Sequence, residues 1–299
     1  MALLTYTAFA GDSQMAAHMR GHDWRRSVLG TADSWPPSLR TAVDMMLHSS
    51  FPMFIAWGPQ LAVLYNDAYV PILGERAQAA LGRPFAELWA EVWPELRPLV
   101  ERTLAGKAVY FEDLELTVGR HGYPERAWFT FSYAPLHDAD GVVAGLFCTC
   151  IETSERVLAE RRSAFALTLA DALYPLAEPN QVIATASALL GRELDAARVQ
   201  YAEIDPLSGR LALPQLWSRD PGPPQPGLPL NDFSPAIVAE LRGGAVVRIH
   251  DAANDPRALD MRAAWFDERI GALLVVPLVK GGRLIACLGV EGPTPRSWT

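Results

Sequence analysis

The sequence predicts an α+β protein of two domains, each an antiparallel sheet carrying helices, joined by one long helix. Three observations carry this expectation. The chain has 299 residues, and ~150 residues per domain gives two domains. Short runs of β-branched and aromatic residues alternate with short amphipathic stretches in both halves. Between the halves, residues 154–176 read as one unbroken helix. Composition excludes several classes. Hydrophobic residues make up 50% and charged residues 20%, so the bulk of the chain can fill cores and is not disordered. The formal charge of -8 excludes a general nucleic-acid or anionic-membrane binder, because phosphate affinity rests on Lys and Arg. Three cysteines are too few for a disulfide framework or a four-thiolate zinc site, and they suit a reducing cytoplasm. No apolar run approaches the ~20 residues of a membrane span, and residues 1–10 lack the basic segment of a signal peptide. A cytoplasmic location is expected.

Residues 1–10 carry no pattern and read as a tail or a docking strand. Asp12-Ser13 can cap a short helix over 14–21. Trp35-Pro36-Pro37-Ser38 opens a second helix over 39–48, with Leu39, Val43, Met46 and Leu47 on one face. Residues 1–50 thus form a helical lead-in. A strand over 51–57, a Gly58-Pro59 turn and a return strand over 61–65 follow. Asn66-Asp67 can cap a helix over 68–74. Further helical pieces span 85–93 and 95–106. Three strands close the domain, over 109–118, 126–136 and 142–151, the last two joined by the hairpin loop 137–141. In the middle strand Trp128, Thr130 and Ser132 face one way, and Phe129, Phe131 and Tyr133 the other. The sum over 51–153 is a five-stranded antiparallel sheet with helices on one face. Six of the nine Trp lie before residue 130, so this domain has the more aromatic core or pocket.

The helix over 154–176 puts Leu158, Phe165, Leu169, Leu173 and Leu176 on one stripe, with Glu155, Arg156, Glu160, Arg161 and Arg162 around it. The stripe fits a dimer seam, or packing against the flanking domains. Beyond it the sequence predicts a helix over 181–191, strands over 198–204 and 211–217, and a turn over 205–210 between them. Prolines at 221, 223, 224, 226 and 229 forbid regular structure there. A helix over 234–242, a strand over 245–249, a helix over 262–269 and a hairpin of strands 272–279 and 283–290 complete the chain.

This order resembles a PAS domain followed by a GAF domain, as in bacterial sensor histidine kinases. Asp23-Trp24, Leu29-Gly30, Ser34-Trp35-Pro36, Ser38-Leu39-Arg40 and Phe51-Pro52-Met53 look like the helical lead-in of one such kinase group. Tyr65-Asn66-Asp67-Ala68-Tyr69 resembles the strand-to-helix corner of a PAS domain, Leu81-Gly82-Arg83-Pro84 its later element, and Pro135-Leu136 with Asp140-Gly141 its last hairpin. Tyr201-Ala202-Glu203-Ile204-Asp205, His250-Asp251, Asp255-Pro256-Arg257 and Val276-Pro277-Leu278 with Gly281-Gly282-Arg283 look like a GAF domain of the same group. The resemblance covers roughly residues 12–299. It implies a PAS fold over 51–153, a signalling helix over 154–176, and a GAF fold (an antiparallel sheet flanked by helices) over 177–299 whose C-terminal helix is missing. It also implies a role: the sensory input module of a two-component histidine kinase. Such a module works as a homodimer, takes a small ligand or a partner as its signal, and relays it to a downstream kinase or other output domain. Alternatives are a ligand-free PAS/GAF dimerisation and spacer module, or a chromophore-binding photosensor.

No catalytic residue is expected. The sequence has no G-x-x-x-x-G-K-[ST] and no G-x-S-x-G, and none of its six His stands in a phosphoacceptor context. His18 and His22 share a helix face but lack a third ligand, so no metal site is expected. Candidate ligand-binding residues in the first domain are Phe54, Tyr65, Asn66, Trp128, Phe129, Phe131 and Cys148, the alternative being a filled aromatic core. Those of the second domain are Tyr201, Trp217 and Trp265. Leu158, Phe165 and Leu169 are the candidate dimer-helix residues. The cofactor is unknown. The flavin and haem branches of the PAS family use a Cys or a His after the Asn corner, and residues 67–107 hold neither. Cys287 lies within a predicted strand, unsuited to a bilin thioether. Covalent flavin, haem or bilin is therefore not expected.

Overall fold

In the structure, a computed structural model, residues 9–122, 124–205, 210–212, 215–220, 228–230, 233–261, 265 and 268–298 are described. The chain divides into two units, Met1–Arg161 and Arg162–Thr299.

In the first unit, α1 (Gln14–Gly21) starts at Ser13, whose Oγ accepts from the Ala16 N–H at 3.1 Å. The helix α2 (Pro37–Leu47) begins two residues earlier than expected, because Pro37 itself takes the first helical position. Phe9, Trp24 and Trp35 pack ring against ring between them, with centroids 4.9–5.8 Å apart. This cluster is continuous with the core under the sheet, so the lead-in is part of the domain's packing. The tail expectation for residues 1–8 lies outside the described residues.

The sheet strands are β1 (Met53–Trp57), β2 (Ala62–Tyr65), β3 (Val109–Val118), β4 (Glu125–His137) and β5 (Val143–Glu152). Their order is β2-β1-β5-β4-β3, every pair antiparallel. Between β2 and β3 run α3 (Val70–Leu73), α4 (Ala77–Ala80), α5 (Phe85–Leu88) and α6 (Trp93–Leu104). The expected helix over 68–74 is broken into a 3-10 turn, Asp67–Tyr69, followed by α3, which Gly74 ends at φ 58°. A bulge between Phe111 and Leu114 puts Asp113 at φ 52°. The Asp113 carboxylate there accepts from Thr153 Oγ (2.6 Å) and Arg156 Nη2 (2.6 and 2.7 Å), at the root of the next helix. That helix, α7 (Ser154–Leu173), is shorter than expected by three residues, since Pro175 follows closely. Val157 is its only buried residue among those described; Phe165, Leu169 and Leu173 are half-buried, and Leu158 and Leu167 are exposed.

The second unit carries α8 (Pro179–Glu193), β6 (Arg198–Ile204), β7 (Arg210–Ala212), β8 (Gln215–Ser218), β9 (Leu228–Pro229), α9 (Pro235–Arg242), β10 (Val247–Ile249), β11 (Ala272–Lys280) and β12 (Arg283–Gly292). The sheet runs β10-β11-β12-β6-β7-β9, and β8 also pairs with β6. The single strand expected over 211–217 is thus two short strands laid along different parts of β6. Pro229 sits in the two-residue β9, a short edge position where a missing N–H is tolerated. The prolines at 221–226 and most of the helix expected over 262–269 lie outside the described residues. The sheet has two buried faces. One packs Val199, Trp217, Leu288 and Val290 with Trp298. The other packs under α9 and Trp265.

Candidate functional site

The aromatic face of the first domain is nearly full. Strand register sets Tyr65, Phe54, Cys148 and Tyr133 side by side across four strands. The helices lay further rings onto them. Phe54 lies 5.0 Å from Phe85 and 5.1 Å from Tyr69 between centroids, and Phe131 lies 4.7 Å from Tyr133. About 30 Å³ remains, lined by Phe54, Phe129, Phe131 and Cys148 among others. That holds a water but no metabolite.

Three first-domain candidates do not reach this void. Tyr65 is tied off by its hydroxyl, which donates to the Ala77 carbonyl at 2.5 Å, and burial pushes its pKa up to about 12, with the Asp67 charge adding to the rise. Asn66 is a corner brace. Its Oδ1 accepts from the N–H of Met53 (3.0 Å) and Tyr69 (3.2 Å), and its Nδ2 lies 2.7–3.1 Å from the carbonyls of Met46, Ser49 and Phe51. Trp128 points to the opposite face of β4, as strand alternation demands, and lies under the guanidinium groups of Arg126 and Arg161 at 5.4 and 4.8 Å. The residues missed by sequence reasoning, Tyr69, Phe85, Trp89 and Cys150 among them, come mostly from the helices. Helical aromatics in a short broken segment give no period to read.

The second domain keeps a cavity of about 130 Å³ on the α9 face of its sheet. Alternation turns Gln200 and Ala202 of β6, and Cys287, Gly289 and Glu291 of β12, toward it. Gly289 stands opposite Gln200. Among the described residues a Cβ there would meet only the Gln200 carbonyl oxygen, at 3.9 Å, so the missing side chain leaves space. Ile237, Leu241, Ile270 and Leu273 make the apolar wall, and Trp265 closes one side. One end is polar: Gln200 and Glu291 are buried, and Glu268 stands at the rim. Arg198 binds both carboxylates, Glu291 through Nε and Glu268 through Nη2 at 3.2 Å. Burial nevertheless holds the Glu291 carboxyl above its ordinary value.

Of the second-domain candidates, Trp265 lines the cavity; Tyr201 and Trp217 do not. Both stand on odd positions of the pairing register and face the other side, where Trp217 lies against Gly191 of α8. A Cβ on Gly191 would come within 2.1 Å of the Trp217 ring, so this tryptophan is a helix–sheet contact. Sequence reasoning missed Gln200, Gly289 and Glu291. The legible signal was a carboxylate two residues beyond a glycine in an otherwise apolar strand.

The cysteines are all buried. Burial pushes the Cys287 thiol up to about 11, and burial with the neighbouring Cys150 raises Cys148 as well. At pH 8 the folded protein should react with iodoacetamide on the order of 100-fold more slowly than the same chain in denaturant. A fast-reacting Cys148–Cys150 pair would contradict the burial.

Two α+β domains in tandem are what these folds define, and each matches a domain family. Residues 47–158 match the family model described as PAS fold, and residues 178–299 match that of the GAF domain. No curated protein matches the chain. Among solved structures the chain is similar to the GAF domain of an Acinetobacter phosphoenolpyruvate-protein phosphotransferase (11% identity, 47% of this chain and 81% of that one, TM-score 0.37). It is also similar to the free methionine-R-sulfoxide reductase of Neisseria meningitidis in complex with its substrate (18% identity, 47% and 78%, TM-score 0.37). The chromophore-binding domain of a bacteriophytochrome from R. palustris is similar over 84% of this chain and 87% of that one, at 14% identity and TM-score 0.37. Scores of this size carry no ligand or activity across. No helix among the described residues is long and apolar enough to cross a membrane.

Proposed function

We propose that this chain is the sensory input region of a two-component histidine kinase. In this reading the second-domain cavity receives a small ligand. The change then passes through helices to a downstream kinase or other output domain, in a cytoplasmic homodimer whose seam is the helix Ser154–Leu173. The observation that carries it is that cavity: about 130 Å³, apolar with a few convergent polar groups at one end, the usual form of a small-molecule site. The half-buried stripe of α7 supports the dimer, since Phe165 and Leu169 keep apolar surface that a second copy would cover. The chain itself acts as a receptor and carries no chemistry; the phosphotransfer belongs to the output domain. The energetic scale is reachable. Driving a two-state helix from 1:99 to 99:1 takes about 10⁴-fold preference, which corresponds to roughly 220 Å² of apolar burial. One ring compound supplies area of that order.

The first domain supports a second reading for itself alone. With about 30 Å³ left among its aromatics, it serves as a packed dimerisation and spacing unit. Native mass spectrometry tests the receptor reading: a dimer carrying a co-purified small molecule is expected, and an empty cavity that stays empty against a metabolite panel would overturn it. Replacing Leu158 and Phe165 together by Ser should raise the dimer dissociation constant tenfold or more in sedimentation velocity. An unchanged mass would rule out the seam.

A further inference from the structure

The cavity of the second domain is selective in size and in charge. An apolar protein cavity of ~150 Å³ takes up benzene. At about 130 Å³ this one has the volume for a single ring with a small substituent. Its polar end gathers two carboxylates, Glu291 and Glu268, around one guanidinium, Arg198. A carboxylate or phosphate ligand placed against Glu291 would face like charge. Arg198 Nε takes the Oε2 of Glu291, while a carboxylate can accept about four hydrogen bonds. Glu291 is therefore built to receive further donors. Gly289 leaves the floor beside it open.

We propose that this cavity recognises a small single-ring compound that carries an N–H donor group, as an amine, amidine or ring N–H, with the ring against Trp265 and Leu273 and the donor bonded to Glu291. The proposal rests on the reading of the cavity as a ligand site. A buried acceptor selects strongly, because an analogue without the donor leaves the carboxylate desolvated and unpaired. Burial already raises the Glu291 pKa, and a donor ligand relieves that cost.

The test uses the whole chain and a shape-matched set: benzamidine, benzamide, benzoate and toluene, titrated by ligand-observed NMR and calorimetry. Benzamidine should bind at least tenfold more tightly than benzoate, with benzamide between them. Glu291→Gln should shrink the benzamidine-to-benzoate ratio by about tenfold while leaving toluene binding unchanged. The wild-type ranking stands by itself if that variant does not fold. Benzoate binding as well as benzamidine, or a ratio unmoved in Glu291→Gln, would overturn the donor class. Toluene binding without any preference among the other three would overturn it too, yet leave the cavity as a ligand site. No binding by any of the four would overturn both.

Discussion

Replacing Asn66 by Asp should destabilise the first domain by about 4 kcal/mol, enough to unfold a domain of ordinary stability under mild conditions. The substitution keeps shape and volume, so no cavity contributes. What changes is one group: Nδ2, which lies 2.7–3.1 Å from three carbonyl oxygens, becomes an oxygen. The carbonyls of Met46, Ser49 and Phe51 lose a shared donor and face an acceptor, at a side chain 1% exposed. Leaving one buried polar group unpaired costs ~1–3 kcal/mol, and here several are affected together. A buried carboxylate adds its own desolvation, which protonation only partly removes. Asn66 ties the end of α2 to the start of β1 and the turn after β2, so the loss is felt at the corner where three elements meet. Urea unfolding followed by tryptophan fluorescence reads this domain well, since six of nine Trp lie in it. An unchanged midpoint would mean the amide does not brace the corner.

Gly289→Val should abolish ligand uptake by the second domain and leave its fold intact or slightly more stable. Among the described residues the new Cβ meets only an oxygen at 3.9 Å, and Gly289 lines the cavity, so the two methyl groups have that space to fill. Valine suits a central strand better than glycine does, by up to ~1 kcal/mol. Burial of its methyl groups adds to that. The cavity floor between Gln200 and Glu291 is then filled, and a single ring no longer fits. Thermal unfolding and titration with benzamidine check the two halves of the expectation separately. Retained binding would place the ligand elsewhere, and loss of the fold would mean that the space is needed for the packing itself.

Much of the architecture was legible in the sequence because it is written in local chemistry. Alternation along 126–136, the turn glycines at 58, 141 and 281–282, and the capping Asn66 each specify an element without reference to the rest. The two-domain α+β arrangement follows from their order. Errors fell where local and distant demands compete. The helix after Asn66 begins as a 3-10 turn over Asp67–Tyr69, and only Val70–Leu73 is α-helical. The strand over 211–217 divides because two stretches of it pair with different parts of β6.

The site was less legible. In the first domain the aromatic residues were correctly placed on strands, yet pocket and core use the same residue types, and only volume separates them. In the second, Trp217 and Tyr201 drew attention as large aromatics. The residues that shape the cavity are Gln200, a glycine and a glutamate. By itself, then, the sequence determined the two sheets, the helix between them and the apolar character of both interiors, because periodicity and turn residues act over a few positions. Only the tertiary structure decided that the first interior is full and the second hollow. That outcome depends on which side chains from distant strands and helices arrive opposite one another, and on the one place, Gly289, where none arrives.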